Sequence, residues 1–258
     1  MEPTERLRSS FGAAATAYAE HRPDYAAAAV RWALAPAPGP RVLDLGAGTG
    51  KLTAALVASG ADVAAVEPDP QMLARLRREL PDVRALPGSA EAIPLADGSV
   101  DAVVAGHALH WFDMAVAGPE IARVLAPGGV LAGLWNVLDD RVDWVARLAR
   151  IGGPAALGRR DLRSTWREAT ADLYLPGPGL PVVFRSPEQA EFAHAKRSTA
   201  AALVAKIATH AGLLVMPDEE REGLLGRIRE DLASRRETAT GEFDVPMLTG
   251  VLRVRRSD

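Results

Sequence analysis

The sequence has no cysteine, and aromatic residues make up only 5% of it. Without cysteine it can form neither a disulfide framework nor a thiolate metal site. Although 48% of the residues are hydrophobic, no run is long enough for a membrane-spanning helix, and the N-terminal stretch carries acids and arginines where a secretion signal is apolar. These absences predict a cytoplasmic protein that does not enter a membrane.

The chain also lacks a strong excess of charge. Its 30 Lys and Arg residues face 33 Asp and Glu residues, which gives a net charge of −3. Because such a balance creates no broad positive field, we expect neither nucleic acid nor a membrane surface as a partner. A chain of 258 residues can bury one substantial core, with or without an attached cap. The sequence leaves monomer and homodimer open.

The most informative stretch is residues 41–50, RVLDLGAGTG. A short apolar run that carries Asp44 leads into three glycines at alternate positions, and a helical pattern follows. Glycines let the backbone bend sharply and let a ligand approach without meeting a Cβ, beside the free N–H groups of a helix N-terminus. The pattern predicts a strand, a turn that binds a ligand, and a helix.

Two phosphate-binding motifs do not fit this turn. A dinucleotide fingerprint requires a glycine where Lys51 or Thr53 stands, and a phosphate-cradling loop requires other residues than Leu45 and Leu52. The ligand predicted at the turn is therefore one that does not need to be held by its phosphates.

The remaining pattern, Asp-x-Gly-x-Gly-x-Gly, resembles the first motif of the class I S-adenosylmethionine (SAM)-dependent methyltransferases. The resemblance implies SAM as cofactor, S-adenosylhomocysteine as product, and no metal. SAM carries an ammonium that Asp44 can pair with, while the turn packs the nucleoside. The turn residues assigned to cofactor binding are Gly46, Ala47, Gly48 and Gly50. A glycine-rich turn inside an ordinary α/β domain is the alternative.

From Arg41 onward strands and helices alternate, which predicts a parallel sheet with helices on both faces. The resemblance implies a Rossmann-like α/β fold, with a doubly wound, mostly parallel sheet of seven strands. The strands predicted in the first half are Val42–Leu45, Ala61–Val66, Val83–Leu86, Val100–Ala105 and Val130–Trp135, with helices over Pro70–Leu80 and from about Pro119 to Leu125.

We expect one methyltransferase domain over residues 1–258. Its parts are a helical N-terminal lid (1–35), a SAM-binding core (41–138), a helical cap (139–181), and strands and helices that complete the sheet (182–258). Helices are predicted near 144–151, 160–173, 199–209 and 217–235, a strand between 182 and 196, and a last, antiparallel strand over 247–254.

Glu67 closes the second predicted strand. Ligands of an open parallel sheet lie at the carboxyl ends of its strands, so this carboxylate is placed to accept both ribose hydroxyls. Pro68 stiffens the turn, and the flexible thioether of Met72 lies one helical turn further, where it can cover the adenine. A surface acid at Glu67 and simple core packing of Met72 are the alternatives.

Residues 88–97, GSAEAIPLAD, resemble the adenine-binding loop of ubiquinone- and menaquinone-type methyltransferases and of the trans-aconitate type. Ser89 stands where many relatives carry an aspartate, so backbone groups of Ser89 and Ala90 are expected to contact the ring. Glu91 is expected to hold the loop.

Residues 106–113, GHALHWFD, resemble the small-molecule branch that includes trans-aconitate methyltransferase. His107 is assigned to the cofactor pocket, and His110, Trp111 and Trp135 to the acceptor site. As a general base, His110 would take a proton from a hydroxyl, carboxylic acid or amine, while an acceptor that is already a carboxylate needs no base. A structural hydrogen bond is the alternative for either histidine.

The N-terminal segment contributes two further candidates, because in similar enzymes it folds over the cofactor. Arg22 is expected to pair with the methionine carboxylate of SAM, and Tyr18 to donate a hydrogen bond. A solvated arginine on a helix face is the alternative.

The predicted function is methyl transfer from SAM to a small-molecule acceptor by in-line displacement, in a site that positions the reactants and excludes water. A non-methylating natural-product enzyme of the same fold, catalysing a cyclisation or pericyclic step, and a binding or regulatory module stay open. An NAD-dependent oxidoreductase is disfavoured by Lys51. The sequence does not identify the acceptor or the methylated atom.

Overall fold

The computed structural model describes residues 24–171, 173 and 183–257. Tyr18 and Arg22, predicted to close over a cofactor, lie outside the described residues, and so does most of the predicted lid.

Helices and strands alternate along the first half of the chain. They are α1 (Ala27–Leu34), β1 (Arg41–Leu45), α2 (Lys51–Ala58), β2 (Asp62–Glu67), α3 (Pro70–Glu79), β3 (Arg84–Pro87), β4 (Val100–Gly106), a 3-10 turn (Leu109–Trp111), α4 (Met114–Val124) and β5 (Leu125–Leu138). The second half contains α5 (Asp143–Ala156), α6 (Trp166–Thr170), β6 (Glu188–Ser198), α7 (Ala200–Ala208), α8 (Ala211–Leu214), α9 (Asp218–Ala233) and β7 (Phe243–Arg255).

Among the described residues the strands form one seven-stranded sheet in the order β3-β2-β1-β4-β5-β7-β6. The pairs from β3 to β5 are parallel. β7 runs antiparallel to β5, because Arg256 N donates to Gly129 O while Asp139 N donates to Pro246 O. The predicted doubly wound, mostly parallel sheet with an antiparallel last strand is confirmed.

The strand order places helices on both faces of the sheet. Successive strands move outward from β1 to β3 in one direction and from β4 to β5 in the other. Right-handed crossovers therefore put α2 and α3 on one face and α4 on the opposite face. On the first face, Val30 of α1 and Leu52 of α2 share one buried cluster with Val42 and Val104 of the strands. The order in which successive strands are added reverses between β1 and β4, although the two strands are parallel.

The predicted start of α4 at Pro119 is wrong. The helix begins at Met114 because Asp113 caps it, with Asp113 Oδ1 accepting from Ala115 N at 3.1 Å. Pro119 stands sixth in the helix instead of first.

The predicted turn between α4 and the fifth strand, Pro127 to Gly129, is a bulge within β5. Val100 pairs with Leu125 and Ala102 with Val130, so β5 advances five residues while β4 advances two. Gly128 allows this with a φ of +73°. Strand β5 therefore starts at Leu125 and not at Val130.

The described residues divide into two compact units. One, here called the core unit, takes Asp24–Trp135, Thr170–Phe192 and the chain from Thr249. The other, here called the helical unit, takes Asn136–Ala169 and Ala193–Leu248. The helical unit thus draws residues from both sides of the boundary predicted at residue 181.

The helical unit has its own apolar core. Side chains from α5, α7, α8 and α9 and from the start of β7 meet in it, including Trp144, Leu148, Ile207, Ile228 and Phe243. The Trp144 and Phe243 rings meet edge to face at 5.8 Å. Among the described residues, no helix combines the length and the apolar character that crossing a membrane requires.

The helix predicted over residues 160–173 is helical only in α6. Residues before it pair with the end of β5: Leu138 N donates to Asp161 O at 2.8 Å, and Arg163 N donates to Leu138 O at 3.0 Å. This extended pairing replaces the first turns of the predicted helix.

Asp231 organises the polar part of the helical unit. Its side chain is 4% exposed, and its oxygens accept from Arg147 Nε at 2.6 Å and from Arg235 Nε at 3.0 Å. Hydrogen bonds from Arg235 and then Arg147 hold the pKa of Asp231 below its usual value. The ionised form is therefore favoured by folding.

We expect Asp231→Asn to lower the free energy of unfolding by about 1–3 kcal/mol near neutral pH, since it removes the negative charge that accepts three hydrogen bonds from Arg147 and Arg235. Because folding lowers the pKa of Asp231, this contribution is present above the unfolded-state pKa and is lost as the pH falls through the folded-state pKa. Urea unfolding across acidic pH measures the difference. Asp244→Asn is the control, since Asp244 is exposed and 3.6 Å from Arg197; an equal loss in both variants would contradict the assignment.

Candidate functional site

The candidate site lies at the carboxyl ends of β1, β2 and β4, which are adjacent in the sheet. This is the switch point of a doubly wound fold, where loops diverge and leave room for a ligand. The glycine turn follows β1, Glu67 ends β2, and His107 follows β4. All three belong to the core unit.

The glycine turn needs glycine for two different reasons. Gly46 and Gly48 have φ values of +70° and +57°, which disfavour other residues. A Cβ on Gly46 would lie 2.8 Å from Ala108 Cβ, so packing excludes it. A Cβ on Gly48 would meet only the Met72 sulfur, at 3.8 Å. Gly48 therefore leaves space beside Met72 that a side chain would fill.

The other turn residues are fixed by packing. Ala47 is buried in a cluster with Leu73 and Leu76 of α3. Gly50 begins α2 with a φ of +89°, and a Cβ there would lie 3.1 Å from Leu76 Cγ. The turn thus packs against α3 through Ala47 and Gly50.

Glu67 reaches back to the glycine turn. It is 5% exposed, and its Oε2 accepts from Gly48 N at 2.8 Å while its Oε1 accepts from Asp69 N at 2.8 Å. Burial raises the pKa of Glu67, and the two N–H groups oppose that shift. The structure therefore places this carboxylate beside Gly48, and its role in ribose binding stays a prediction.

Pro68 and Met72 follow Glu67 at the start of α3. Asp69 caps this helix, accepting from Gln71 N at 2.8 Å and from Met72 N at 2.9 Å. The cap fixes the first turn of α3, so the Met72 side chain lies on the Gly48 side, where it is 7% exposed.

Asp44 is completely buried. Its Oδ2 accepts from Thr53 Oγ1 at 2.6 Å, whereas its Oδ1 has no hydrogen-bond partner among the described residues. Burial raises the pKa of Asp44 to about 7, the Thr53 hydroxyl lowers it, and the negative charge of Glu67 raises it. A buried carboxylate oxygen without a partner is costly, and a cationic amine is one donor that can satisfy it.

The loop at 88–97 is shaped by α4. Ser89 and Ala92 form an isolated bridge, Ala90 is buried, and Glu91 Oε1 accepts from Asp113 N at 3.2 Å. The holding role predicted for Glu91 thus corresponds to a hydrogen bond. Backbone contacts of Ser89 and Ala90 with an adenine stay predictions.

Sequence reasoning missed the ion pair that anchors this loop. Arg123 donates to Leu95 O at 2.8 Å and to Ile93 O at 3.0 Å, and Glu120 accepts from Ile93 N at 3.0 Å. Glu120 and Arg123 also pair with each other at 2.8 Å. Their spacing of three on one helix signals an ion pair, but nothing in the sequence indicates that both also bind a loop more than twenty residues away.

His107 stands out by its backbone. Among the described residues it is the one non-glycine residue with a positive φ, +52°. The imidazole ring of His107 lies 6.4 Å from the ring of Tyr25, and the backbone N–H of His107 donates to Leu134 O at 2.9 Å. Such strained residues concentrate at functional sites, and the assignment of His107 to the cofactor pocket stays a prediction.

His110, Trp111 and Trp135 form a second group in the core unit. Trp135 Nε1 donates to His110 Nδ1 at 3.4 Å, and the His110 and Trp111 rings lie 5.1 Å apart. When Nδ1 accepts a hydrogen bond, neutral His110 carries its proton on Nε2. To act as a base, His110 must take a proton at the nitrogen that faces Trp135. The general-base role stays a prediction under that condition.

Among the described residues, no group of three or more His, Asp or Glu side chains is arranged to hold a metal ion. The fold and the site together define a Rossmann-like α/β protein. Its switch point carries a glycine turn, two buried carboxylates and a strained histidine.

Comparisons with known proteins agree with this architecture. A family model described as a methyltransferase domain matches residues 43–133, all within the core unit. An uncharacterized methyltransferase of Mycobacterium tuberculosis (strain H37Rv) is 44% identical over 225 residues, which cover 87% of this chain and 86% of that protein. A demethylmenaquinone methyltransferase of Beutenbergia cavernae is 45% identical over 100 residues, 38% of this chain and 42% of that protein.

Among solved structures, a candidate type II methyltransferase from Anaeromyxobacter dehalogenans superposes with a TM-score of 0.59. It is 27% identical, and the match covers 92% of this chain and 97% of that one. The chain belongs to the class I SAM-dependent methyltransferase family.

The raised pKa of Asp44 makes a prediction for the ligand-free protein. Folding raises this pKa, so the stability that the neutral acid provides is complete below the unfolded-state pKa and is lost as the pH rises through about 7. Relative to Asp44→Asn, the wild type should lose up to about 4 kcal/mol of unfolding free energy over this range.

Urea unfolding of both proteins at a series of pH values measures this difference. Asp82→Asn, on an exposed carboxylate of the same unit, is the control and should follow the wild type. Parallel pH profiles for the wild type and Asp44→Asn would contradict the burial of an uncompensated acid.

Proposed function

We propose that this protein transfers a methyl group from SAM to a small-molecule acceptor and releases S-adenosylhomocysteine. The observation that carries the proposal is Asp44 Oδ1, a fully buried carboxylate oxygen two residues before the glycine turn that has no partner in the described part of the chain. The ammonium of SAM is the kind of group that such an oxygen binds.

Three further features of the turn suit the rest of the cofactor. Each oxygen of Glu67 already accepts one backbone N–H and keeps further acceptor capacity for a ribose hydroxyl. Gly48 leaves space that a Cβ would fill, and Met72 borders this space with its sulfur. The fit needs no phosphate-binding group, which agrees with the failure of both phosphate motifs.

Bound SAM supplies a methyl group on a positively charged sulfur. The chain's own part is to hold this group and the acceptor at attack distance in a site with little water. His107, His110, Trp111 and Trp135 are proposed for the cofactor rim and the acceptor side. Trp135 is fully buried and fixes the His110 ring by its hydrogen bond, so His110 offers Nε2–H as a donor when it is neutral.

The acceptor is proposed to be a small molecule because the near-neutral chain offers no broad positive field for nucleic acid. The similarity to a demethylmenaquinone methyltransferase spans 38% of this chain and supports the cofactor half of the proposal rather than a particular acceptor. No specific observation favours a non-methylating reaction, and the relatives described above carry methyltransferase names.

Gly48→Ala tests the proposal. A Cβ at Gly48 would enter the space beside Met72 that the cofactor is proposed to occupy. Because the added methyl group would keep the cofactor from approaching the backbone of the turn, we expect the affinity for S-adenosylhomocysteine to fall by about tenfold or more. Titration calorimetry measures the affinity of each protein.

Gly60→Ala is a matched control. Gly60 also has a positive φ, +88°, but it follows α2 and lies away from the glycine turn. A Cβ on Gly60 would meet no described atom within 4 Å. Both variants should lose about 1–2 kcal/mol of stability from left-handed strain, whereas only Gly48→Ala should lose affinity. Absence of binding in the wild type, or equal affinities in all three proteins, would overturn the proposed cofactor site.

A further inference from the structure

Thr53 has an unusual hydrogen-bond partner for a helical threonine. It lies in the first turn of α2 and is completely buried. Threonine hydroxyls inside helices commonly donate to the carbonyl three or four residues earlier. Thr53 Oγ1 instead donates to Asp44 Oδ2 on β1, at 2.6 Å. The glycine turn brings these residues together although nine positions separate them in the chain.

This hydrogen bond makes the two oxygens of Asp44 different. Oδ2 is held by Thr53, which orients the carboxyl group, and Oδ1 has no partner within the ranges that the structure describes. When Asp44 is neutral, its proton belongs on Oδ1, because Oδ2 is already an acceptor. A cationic ligand that approaches Oδ1 must therefore displace this proton to solvent.

Among the residues that the structure describes, the groups that act on the pKa of Asp44 are Thr53 and Glu67, and neither is a cation. The neighbours of Asp44 across the sheet are Ala65 on β2 and Val104 on β4. The charge that acts on it is the negative charge of Glu67, at the end of β2. Lys51, at the start of α2, pairs with Asp24 at 2.9 Å.

We propose that Thr53 is a positioning residue that aims Asp44 Oδ1 at the ammonium of the cofactor, and that cofactor binding releases the proton which Asp44 holds in the free protein. This inference rests on the proposed function. One proton leaves Oδ1 for solvent as the ammonium binds, and no other bond changes. The burial that raises the pKa of Asp44 to about 7 places this exchange near neutral pH.

The sign of the pH effect follows from this exchange. Below about pH 7 the free protein holds the proton, so binding releases it and the affinity rises with pH. Above this pH Asp44 is already ionised, so the affinity levels off. Since the Thr53 hydroxyl stabilises the ionised form, removing it should move the midpoint of this profile to higher pH.

Titration calorimetry with S-adenosylhomocysteine tests the inference. Measurements at about pH 6 and about pH 8, each in two buffers with different heats of ionisation, count the protons released. For the wild type we expect close to one proton at the lower pH and few at the higher. Thr53→Val should bind about ten- to a hundredfold more weakly near neutral pH and release its proton over a higher pH range. Thr53→Ser keeps the hydroxyl and should restore both the midpoint and most of the affinity.

Two further proteins complete the test. Asp44→Asn should lose the pH-dependent proton release, and if Thr53→Val does not fold, Thr53→Ala takes its place. Two outcomes would overturn the inference while leaving the proposed function intact. One is an affinity–pH profile of the variant without the Thr53 hydroxyl that keeps the wild-type midpoint, and the other is proton release that persists in Asp44→Asn. A wild type that does not bind S-adenosylhomocysteine at either pH would instead refute the proposed function, and this inference with it.

Discussion

The burial of two carboxylates, one on β1 and one at the end of β2, is the constraint on which the candidate site depends. Burial raises the pKa of both Asp44 and Glu67, so the ionised form of each side chain lowers the stability of the folded protein. Glu67 recovers part of this cost from Gly48 N and Asp69 N, and Asp44 only from Thr53. A fold tolerates such an imbalance where a ligand completes it, which ties the stability of the ligand-free protein to its binding chemistry.

Short-range patterns predicted the strand, the glycine turn and the acid that closes the second strand, because these parts lie close together in the sequence. The strand, the glycine turn and Glu67 lie within 41–67, where composition and periodicity determine local structure. One error in helix prediction has a long-range cause, and another has a local one. The helix predicted from 160 is shortened because residues near 162 pair with Leu138, and Pro119 seemed to start a helix that Asp113 caps earlier. The grip of Arg123 on the 88–97 loop likewise depends on tertiary structure.

The two units differ in what can be inferred from them. The methyltransferase domain model matches only within the core unit, which holds the described candidate residues for cofactor binding. The helical unit has a separate apolar core and a buried Asp231 between two arginines, features that indicate how it is stabilised. β5, β6 and β7 each contribute residues to both units. The similarity to the Mycobacterium tuberculosis relative covers 87% of this chain and so extends beyond the matched domain.

The left-handed backbone of His107 limits what evolution can place at this position. A β-branched residue at a φ of +52° would be strained, whereas glycine, asparagine and aspartate reach this region more readily. Homologous sequences that have replaced the imidazole should therefore have drawn from this narrow set, even where the chemistry of their acceptors differs. The conformation at the end of β4 would then outlast the side chain it now presents.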